Sequence, residues 1–288
     1  MLFQNKTTRS EVAILILFFN KLEQTKDCIN SFFPSGENIY VLNNGSDINH
    51  WKSLQSHFKK EKSISFLDAG KNLGVSGGRN FLINATKEPW IFCVDNDITI
   101  ESSNSWLQEF VSFINNRQDA KIVCPLLYNV HDKTWSQQLA IKKKDNIVSV
   151  EIGEFNISNC FPGGASIVHR SVFDTYGLYD EEMFVGFEDY EFALRAITSE
   201  HKNLEAFHFN NITLIHDHRF QKSSIDKKAV RERYNEEKLK LSYDRMVQKY
   251  NIVFEHDWKW WTQKQVADMT QTKRLHQIKT SIKRLFGK

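Results

Sequence analysis

Four runs in the first hundred residues are largely apolar and end in polar side chains: VAILILFFN (12–20), IYVLNN (39–44), ISFLDAG (64–70) and WIFCVDND (90–97). A strand with one face in water alternates apolar and polar residues, whereas a strand covered on both faces does not. Stretches with helical spacing separate the runs: Leu22 to Phe33, halted at Pro34; a segment around 50–60; and one opened by Gly77-Gly78-Arg79-Asn80 and reaching about Thr86. Strand and helix in alternation predict an α/β fold, its mostly parallel sheet covered by helices. Ligands in such sheets bind outside the carboxyl ends of the strands. Asn20, Asn43-Asn44 and Asp95-Asn96-Asp97 fall at those ends.

The rest of the 288-residue chain adds strands and loops over 120–170, helical spacing around a loop over 171–200, and one more strand within AFHFNNITLIHDH (206–218). Hydrophobic residues at 41%, with 13% aromatics, can build a sizeable core and argue against a disordered chain. The apolar run from Val12 to Phe19 is too short to span a bilayer and reads as a buried strand. Cys28, Cys93, Cys124 and Cys160 show no CxxC pairing, so reduced thiols and a cytoplasmic protein are expected.

Two acid clusters carry the chemistry. An Asp-x-Asp can simply cap a turn or helix, but Asp95 and Asp97 emerge abruptly from an apolar strand at the ligand edge. Two carboxylates and an amide suit Mg²⁺ or Mn²⁺ rather than zinc. Glu188-Asp189 follows an apolar loop and leads into Glu191, Phe192, Leu194 and Arg195 at helical spacing. Acids in a first helical turn can serve the helix dipole alone. They can also supply a base for a hydroxyl nucleophile. His216 follows a strand, and a neutral imidazole there could complete a coordination sphere begun by Asp95 and Asp97, with His218 as the alternative.

In this order the segments resemble the family 2 glycosyltransferases over Val12 to His218. VAILILFFNK is similar to that family's opening strand, and VLNNGSD to its base-holding segment. KNLGVSGGRN (71–80) is similar to its Asn-x-Gly…Arg-Asn loop, and VDND to its Asp-x-Asp. PGGASIVHRSVFDTYGLYDEEMFVGFEDYEFALR (162–195) is similar to its acceptor loop and Glu-Asp motif. The resemblance implies a GT-A, Rossmann-like fold over 1–224, with a nucleotide-sugar half over about 1–100 and an acceptor half over about 101–224; residues 225–288, outside the match, read as a helical basic extension. It implies that Phe19, Asn43, Arg79, Asp95 and Asn96 face the nucleotide. Asp95, Asp97 and His216 would bind Mn²⁺ or Mg²⁺. Asp189 would be the base with Glu188 beside it, and Gly163 and Gly164 would let backbone approach the sugar or acceptor. The implied reaction is inverting transfer from a nucleotide-diphosphate sugar to a hydroxyl of a glycan or lipid-linked acceptor, in cell-surface polysaccharide or glycolipid assembly. A UDP-sugar is the favoured donor, with dTDP- and GDP-sugars as alternatives. The family often has Asp where this chain has Asn43, whose amide can still pair with a base edge.

Charge is uneven along the chain. Residues 221–288 hold 17 Lys+Arg against 8 Asp+Glu, although the whole chain carries only +3. The segment from Tyr234 to Tyr250 reads as helix, followed by Trp258, Trp260 and Trp261. Leu275, Ile278, Ile282, Leu285 and Phe286 recur at helical spacing among six basic residues. That pattern fits a helix lying on an anionic membrane surface at the inner face of the cell membrane, and equally a helix packed on protein. No nucleic-acid motif is visible, and no nucleic-acid partner is expected. A nucleotidyltransferase would need a Gly-rich phosphate loop with Lys near the N-terminus, and Asn20-Lys21-Leu22-Glu23 lacks it. A non-catalytic nucleotide-sugar-binding or scaffold protein on the same fold is the remaining alternative, and the retained acids argue against it.

Overall fold

The computed structural model describes residues 11–101, 104–131, 133–201, 203–217 and 223–259. His218, Trp260, Trp261 and the basic helix expected over 271–288 lie outside the described residues.

The first half alternates as its apolar pattern predicts: β1 (Val12–Phe18), α1 (Leu22–Phe32), β2 (Asn38–Asn43), α2 (Ile48–His57), β3 (Ile64–Asp68), α3 (Gly74–Ala85) and β4 (Trp90–Asp95). A short β5 (Ile98–Ile100) and α4 (Trp106–Asn116) follow. Then come β6 (Ile122–Asn129), β7 (Thr134–Trp135), β8 (Gln138–Lys144), β9 (Ile147–Gly153), β10 (Ile157–Ser158) and β11 (Ala165–His169). The chain continues through α5 (Ser171–Tyr176), α6 (Glu188–Thr198), β12 (Ala206–His216), α7 (Ser224–Arg233), α8 (Glu236–Tyr250) and β13 (Val253–Phe254).

The main sheet runs β10-β12-β6-β11-β4-β1-β2-β3. Strands β4, β1, β2 and β3 are mutually parallel, and β12 is parallel to β6. Strand β11 enters antiparallel to both β4 and β6. The sheet is thus mixed but mostly parallel, and helices cover both faces. One face buries Ile14, Ile16, Phe92 and Trp106 against α1 and α4; the other buries Leu15, Ile91, Leu82 and Phe192 against α3 and α6. All four cysteines are free and buried.

Two boundaries differ from the sequence pattern for local reasons. Strand β1 stops at Phe18, not Asn20, because Asn20 and Lys21 turn left-handed, at φ 59° and 55°. Helix α3 starts at Gly74, three residues before Gly77. Its first free N–H groups find partners there: Leu73 N–H donates to Asn44 Oδ1 (2.9 Å), Gly74 N–H to Asn72 Oδ1 (2.8 Å) and Val75 N–H to the Phe184 carbonyl (2.8 Å).

The segment after residue 223 packs on the preceding fold. Met246 of α8 is fully buried, and Ser242 Oγ donates to the Val185 carbonyl (3.0 Å). Strand β13 pairs in parallel with β9 in a small second sheet, β13-β9-β8. No described helix is long and apolar enough to cross a membrane.

Candidate active site

The carboxyl ends of β1, β4 and β12 and the start of α6 meet at one cleft. Strand β4 delivers Asp95 and, one turn on, Asp97. Strand β12 delivers His216 by running antiparallel to β5, with His216 opposite Ile98. Asn96, between the acids, is buried; its amide donates to the Asn20 carbonyl (3.0 Å) and to Thr25 Oγ1 (2.9 Å). Asn96 therefore ties the acidic turn to the loop after β1.

Asp97 is almost closed to solvent. Lys21 Nζ stands 2.6 Å from its Oδ2, and His216 Nε2 stands 3.3 Å from its Oδ1. Burial alone would raise this carboxyl. The Lys21 ammonium and His216 outweigh burial and hold Asp97 well below the usual carboxylate range. Asp95, Asp97 and His216 each offer a ligand atom within 4.8 Å of the others, an arrangement that could hold a metal ion. Two carboxylate oxygens and an imidazole nitrogen fit a divalent cation.

The second acid cluster is presented by a strained turn. Gly186 and Phe187 both take positive φ, 74° and 64°, immediately before α6. The Phe187 ring packs against Tyr190 and against Tyr243 of α8, so α8 braces the turn from behind. Glu188 and Asp189 then face Arg79 of α3. Arg79 is buried, and it bridges Asp95 (3.3 Å), Glu188 (3.2 Å) and Asp189 (3.6 Å). Burial would lower its pKa, but Asp95, Glu188 and Asp189 keep it charged. The same surroundings act oppositely on Asp189. Burial, then the neighbouring Glu188 charge, push its carboxyl up to about 7, against the pull of Arg79 and of the Gly163 N–H. That N–H donates to Asp189 Oδ1 at 3.0 Å.

Gly163 and Gly164 serve this packing. A Cβ on Gly163 would collide with the Arg79 guanidinium and the Asp189 carboxylate; one on Gly164 would overlap the Asp95 carboxylate. Only residues without side chains let the turn leading into β11 pass this close to the acids. The third acid of α6, Glu191, has a different place. It is fully buried and held by Arg195 (3.1 Å), Lys249 (2.8 Å) and the Tyr250 hydroxyl (2.6 Å), which joins α6 to α8.

Two cavities that share Asp95, His216, Arg233 and Tyr234 in their linings open from the acids. One, of about 150 Å³, is lined by Phe19, Lys21, Asn44, Asn96 and Asp97, with Arg233 and Tyr234 opposite. The other, of about 390 Å³, runs from Arg79, Asp95 and Asp189 past Tyr190 to Asn129, Gln138 and His208. Asn43 lines neither. Its amide donates to Asp68 Oδ2 (3.1 Å) and its carbonyl oxygen accepts the Ser46 N–H (2.9 Å), leaving Asn44 on the cavity wall.

Lys21, Arg233 and Tyr234 are absent from the expectations raised by sequence. Lys21 lay in plain view as the residue after Asn20, but its αL backbone, which turns the side chain toward Asp97, leaves no trace in composition or spacing. Arg233 ends α7, which is tethered over the cleft where Asp226 Oδ1 accepts the Lys21 N–H (2.8 Å). Enclosure by the surrounding protein would lower the pKa of Arg233; Asp95 and Glu188 draw it up instead.

Comparison with other proteins bears on the fold and the family. The chain is 22% identical over 193 residues to the dTDP-rhamnosyl transferase RfbF of Shigella flexneri, spanning 64% of this chain and 62% of that one, so it covers less than two thirds of that relative. Its fold is similar to that of GalNAc-T7, solved with UDP, GalNAc and Mn²⁺ (TM-score 0.58, 14% identity, 91% of this chain and 57% of that chain). It is also similar to the mannosyltransferase PcManGT of Pyrobaculum calidifontis, solved with GDP-Man and Mn²⁺ (TM-score 0.55, 10% identity, 84% and 66%). The fold is thus the GT-A fold. Residues 13–177, more than half of the chain, match glycosyl transferase family 2, and the chain belongs to that family.

Proposed function

We propose that this protein is an inverting glycosyltransferase that moves a sugar from a nucleoside-diphosphate donor to an acceptor hydroxyl. One observation carries the reading: buried Arg79 joins Asp95, at the candidate metal site, to Glu188 and Asp189 on the far wall of the same cleft. A donor phosphate and an acceptor hydroxyl can then meet between the two acid clusters.

The smaller cavity, with Phe19, Asn44 and Asn96 on its walls, is the place for the nucleotide. Lys21 and Arg233 offer positive charge near its phosphates. Held by Asp95, Asp97 and His216, Mn²⁺ would supply Lewis-acid stabilisation to the departing diphosphate. Asp189 takes the proton of the acceptor hydroxyl as its oxygen attacks the anomeric carbon. A carboxyl raised to about 7 is matched to that task near neutral pH. Single displacement from the side opposite the diphosphate inverts the anomeric centre. Glu188 keeps Arg79 in place, and Arg79 keeps the two walls in register.

The names of similar proteins support the donor class. RfbF suggests a dTDP-sugar; the complexes with UDP and GDP-Man suggest the other two bases. The acceptor we infer is a glycan or lipid-linked glycan of cell-surface assembly.

The test is a panel of UDP-, dTDP- and GDP-sugars with Mn²⁺, read by donor hydrolysis and thermal shift. One nucleotide series should stabilise the protein and be hydrolysed slowly without acceptor. Binding with no hydrolysis or transfer under any metal would favour a non-catalytic sugar-nucleotide binder and sink the enzymatic reading.

A further inference from the structure

Asp97 meets a protein cation at its Oδ2, where the Lys21 ammonium stands 2.6 Å away. A divalent ion ligated by Asp97 would sit about 2 Å from a carboxylate oxygen; Oδ1 faces His216 and Oδ2 carries the ammonium, so the ion and the ammonium would share one small buried carboxylate. Two cations cannot share this buried carboxylate at such range without strong repulsion. We propose that Lys21 is an internal counter-cation for Asp97 that a divalent metal must displace in order to bind, an inference that rests on the metal-dependent transferase reading above.

The local structure suits an exchange of this kind. The Lys21 backbone is pinned on both sides: its N–H donates to Asp226 Oδ1 (2.8 Å), and its carbonyl accepts the Thr25 N–H and hydroxyl (both 2.9 Å). Its φ of 55° aims the side chain inward. The side chain is 21% exposed, against 6% for Asp97, so the flexible stem has a path toward the cavity while the backbone stays fixed. A buried carboxylate without a partner is costly. Lys21 satisfies Asp97 in the metal-free protein and keeps the site assembled, at the expense of metal affinity. Once displaced, the ammonium remains at the wall of the cavity assigned to the nucleotide, where it can meet a phosphate.

The exchange is read by Mn²⁺ binding, followed through the free-ion electron paramagnetic resonance signal on the full chain. Lys21→Met should bind Mn²⁺ about tenfold or more tightly than the wild type, and Lys21→Arg should bind about as weakly as the wild type. Equal and measurable Mn²⁺ affinity in wild type and Lys21→Met would overturn the displacement and leave the transferase reading standing. Failure of both to bind Mn²⁺ would overturn the displacement and the metal assignment together. Failure of every nucleotide-sugar in the donor panel bears on the transferase reading alone.

Since Lys21→Met leaves Asp97 uncompensated and can impair folding, a second measurement uses the wild type. Acylation of Lys21 by an amine reagent, followed by peptide mass spectrometry, should speed up several-fold when saturating Mg²⁺ frees the ammonium. Unchanged or slower labelling would overturn the displacement.

Discussion

Asp97 and Asp189 are the same chemical group on opposite walls of one cleft, and their surroundings drive them apart. Both are withdrawn from water, which favours the neutral acid. At Asp97 that tendency is defeated by Lys21 and His216, and the carboxylate stays charged far below its normal range. At Asp189 the nearest charge is another carboxylate, Glu188. The shared Arg79 is divided among three acids and cannot compensate, so Asp189 rises to about 7. A permanently charged acid suits a cation ligand. An acid that changes charge near neutrality suits a proton acceptor. Partner charges, rather than burial, make the difference.

The sharpest way to break this comparison is to exchange the charges. Asp189→Asn should lower kcat by about 10²–10⁴-fold, the usual contribution of a positioned base, while Mn²⁺ and donor affinities stay close to wild type. Asp97→Ala should also abolish transfer, but by loss of Mn²⁺ affinity, read in the same titration. Full transfer by Asp189→Asn would remove the base from this wall of the cleft.

The arginine between the walls comes next in size. Arg79→Met leaves Asp95, Glu188 and Asp189 facing one another without their common cation. Removing one partner of a buried charge cluster typically costs about 3–5 kcal/mol, and urea unfolding at pH 7.5 should show a loss of that order. The loss should shrink below about pH 5, where the orphaned carboxyls can take up protons. A loss under about 1 kcal/mol would mean that Arg79 is solvated and does not couple the two clusters.

The sheet and the acid clusters were legible because each leaves a local signature. An apolar run covered on both faces cannot be confused with an amphipathic one, and Asp95-Asn96-Asp97 and Glu188-Asp189 are contiguous. The paired glycines before β11 were legible as motif but not as mechanism: only the structure shows that Gly163 and Gly164 make room for carboxylates of this chain. Asn43 and Asn44 stood side by side in the sequence, and nothing there says that Asp68 and Ser46 occupy the first and leave the second at the cavity. Lys21 and Arg233 were missed for a different reason. Each reaches the site across a long sequence separation: Lys21 and Asp97 are 76 positions apart, and Lys21 and the Asp226 that anchors α7 are 205 apart. Such pairings depend on tertiary closure and carry no periodicity. Helix α4, whose Trp106 and Phe110 are fully buried, has no counterpart among the expectations from sequence.

The smallest expected effect is on stability, and its sign separates the two acids again. Asp189 has a folded-state pKa of about 7, above the value of about 4 for an unfolded aspartate. Below about pH 4 the group is protonated in both states and contributes nothing. As pH rises from about 4 to 7 the unfolded chain ionises freely while the folded chain resists, so Asp189 increasingly opposes folding. Asp189→Asn removes that opposition, and its amide oxygen can still accept the Gly163 N–H. The side chain is 27% exposed, so water moderates the penalty, and a gain of about 1 kcal/mol, or about 2–4 °C in Tm, is expected at pH 8. At pH 4 the variant and wild type should melt together. For Asp97 the linkage runs the other way. Its depressed pKa stabilises the fold above about pH 4, so Asp97→Asn should lower Tm at pH 8 under the same conditions in which Asp189→Asn raises it. Two conservative changes of one residue type, with opposite shifts in one melting experiment, would establish that the cleft sets these acids apart by charge. A rise in Tm for both would show that burial alone governs both.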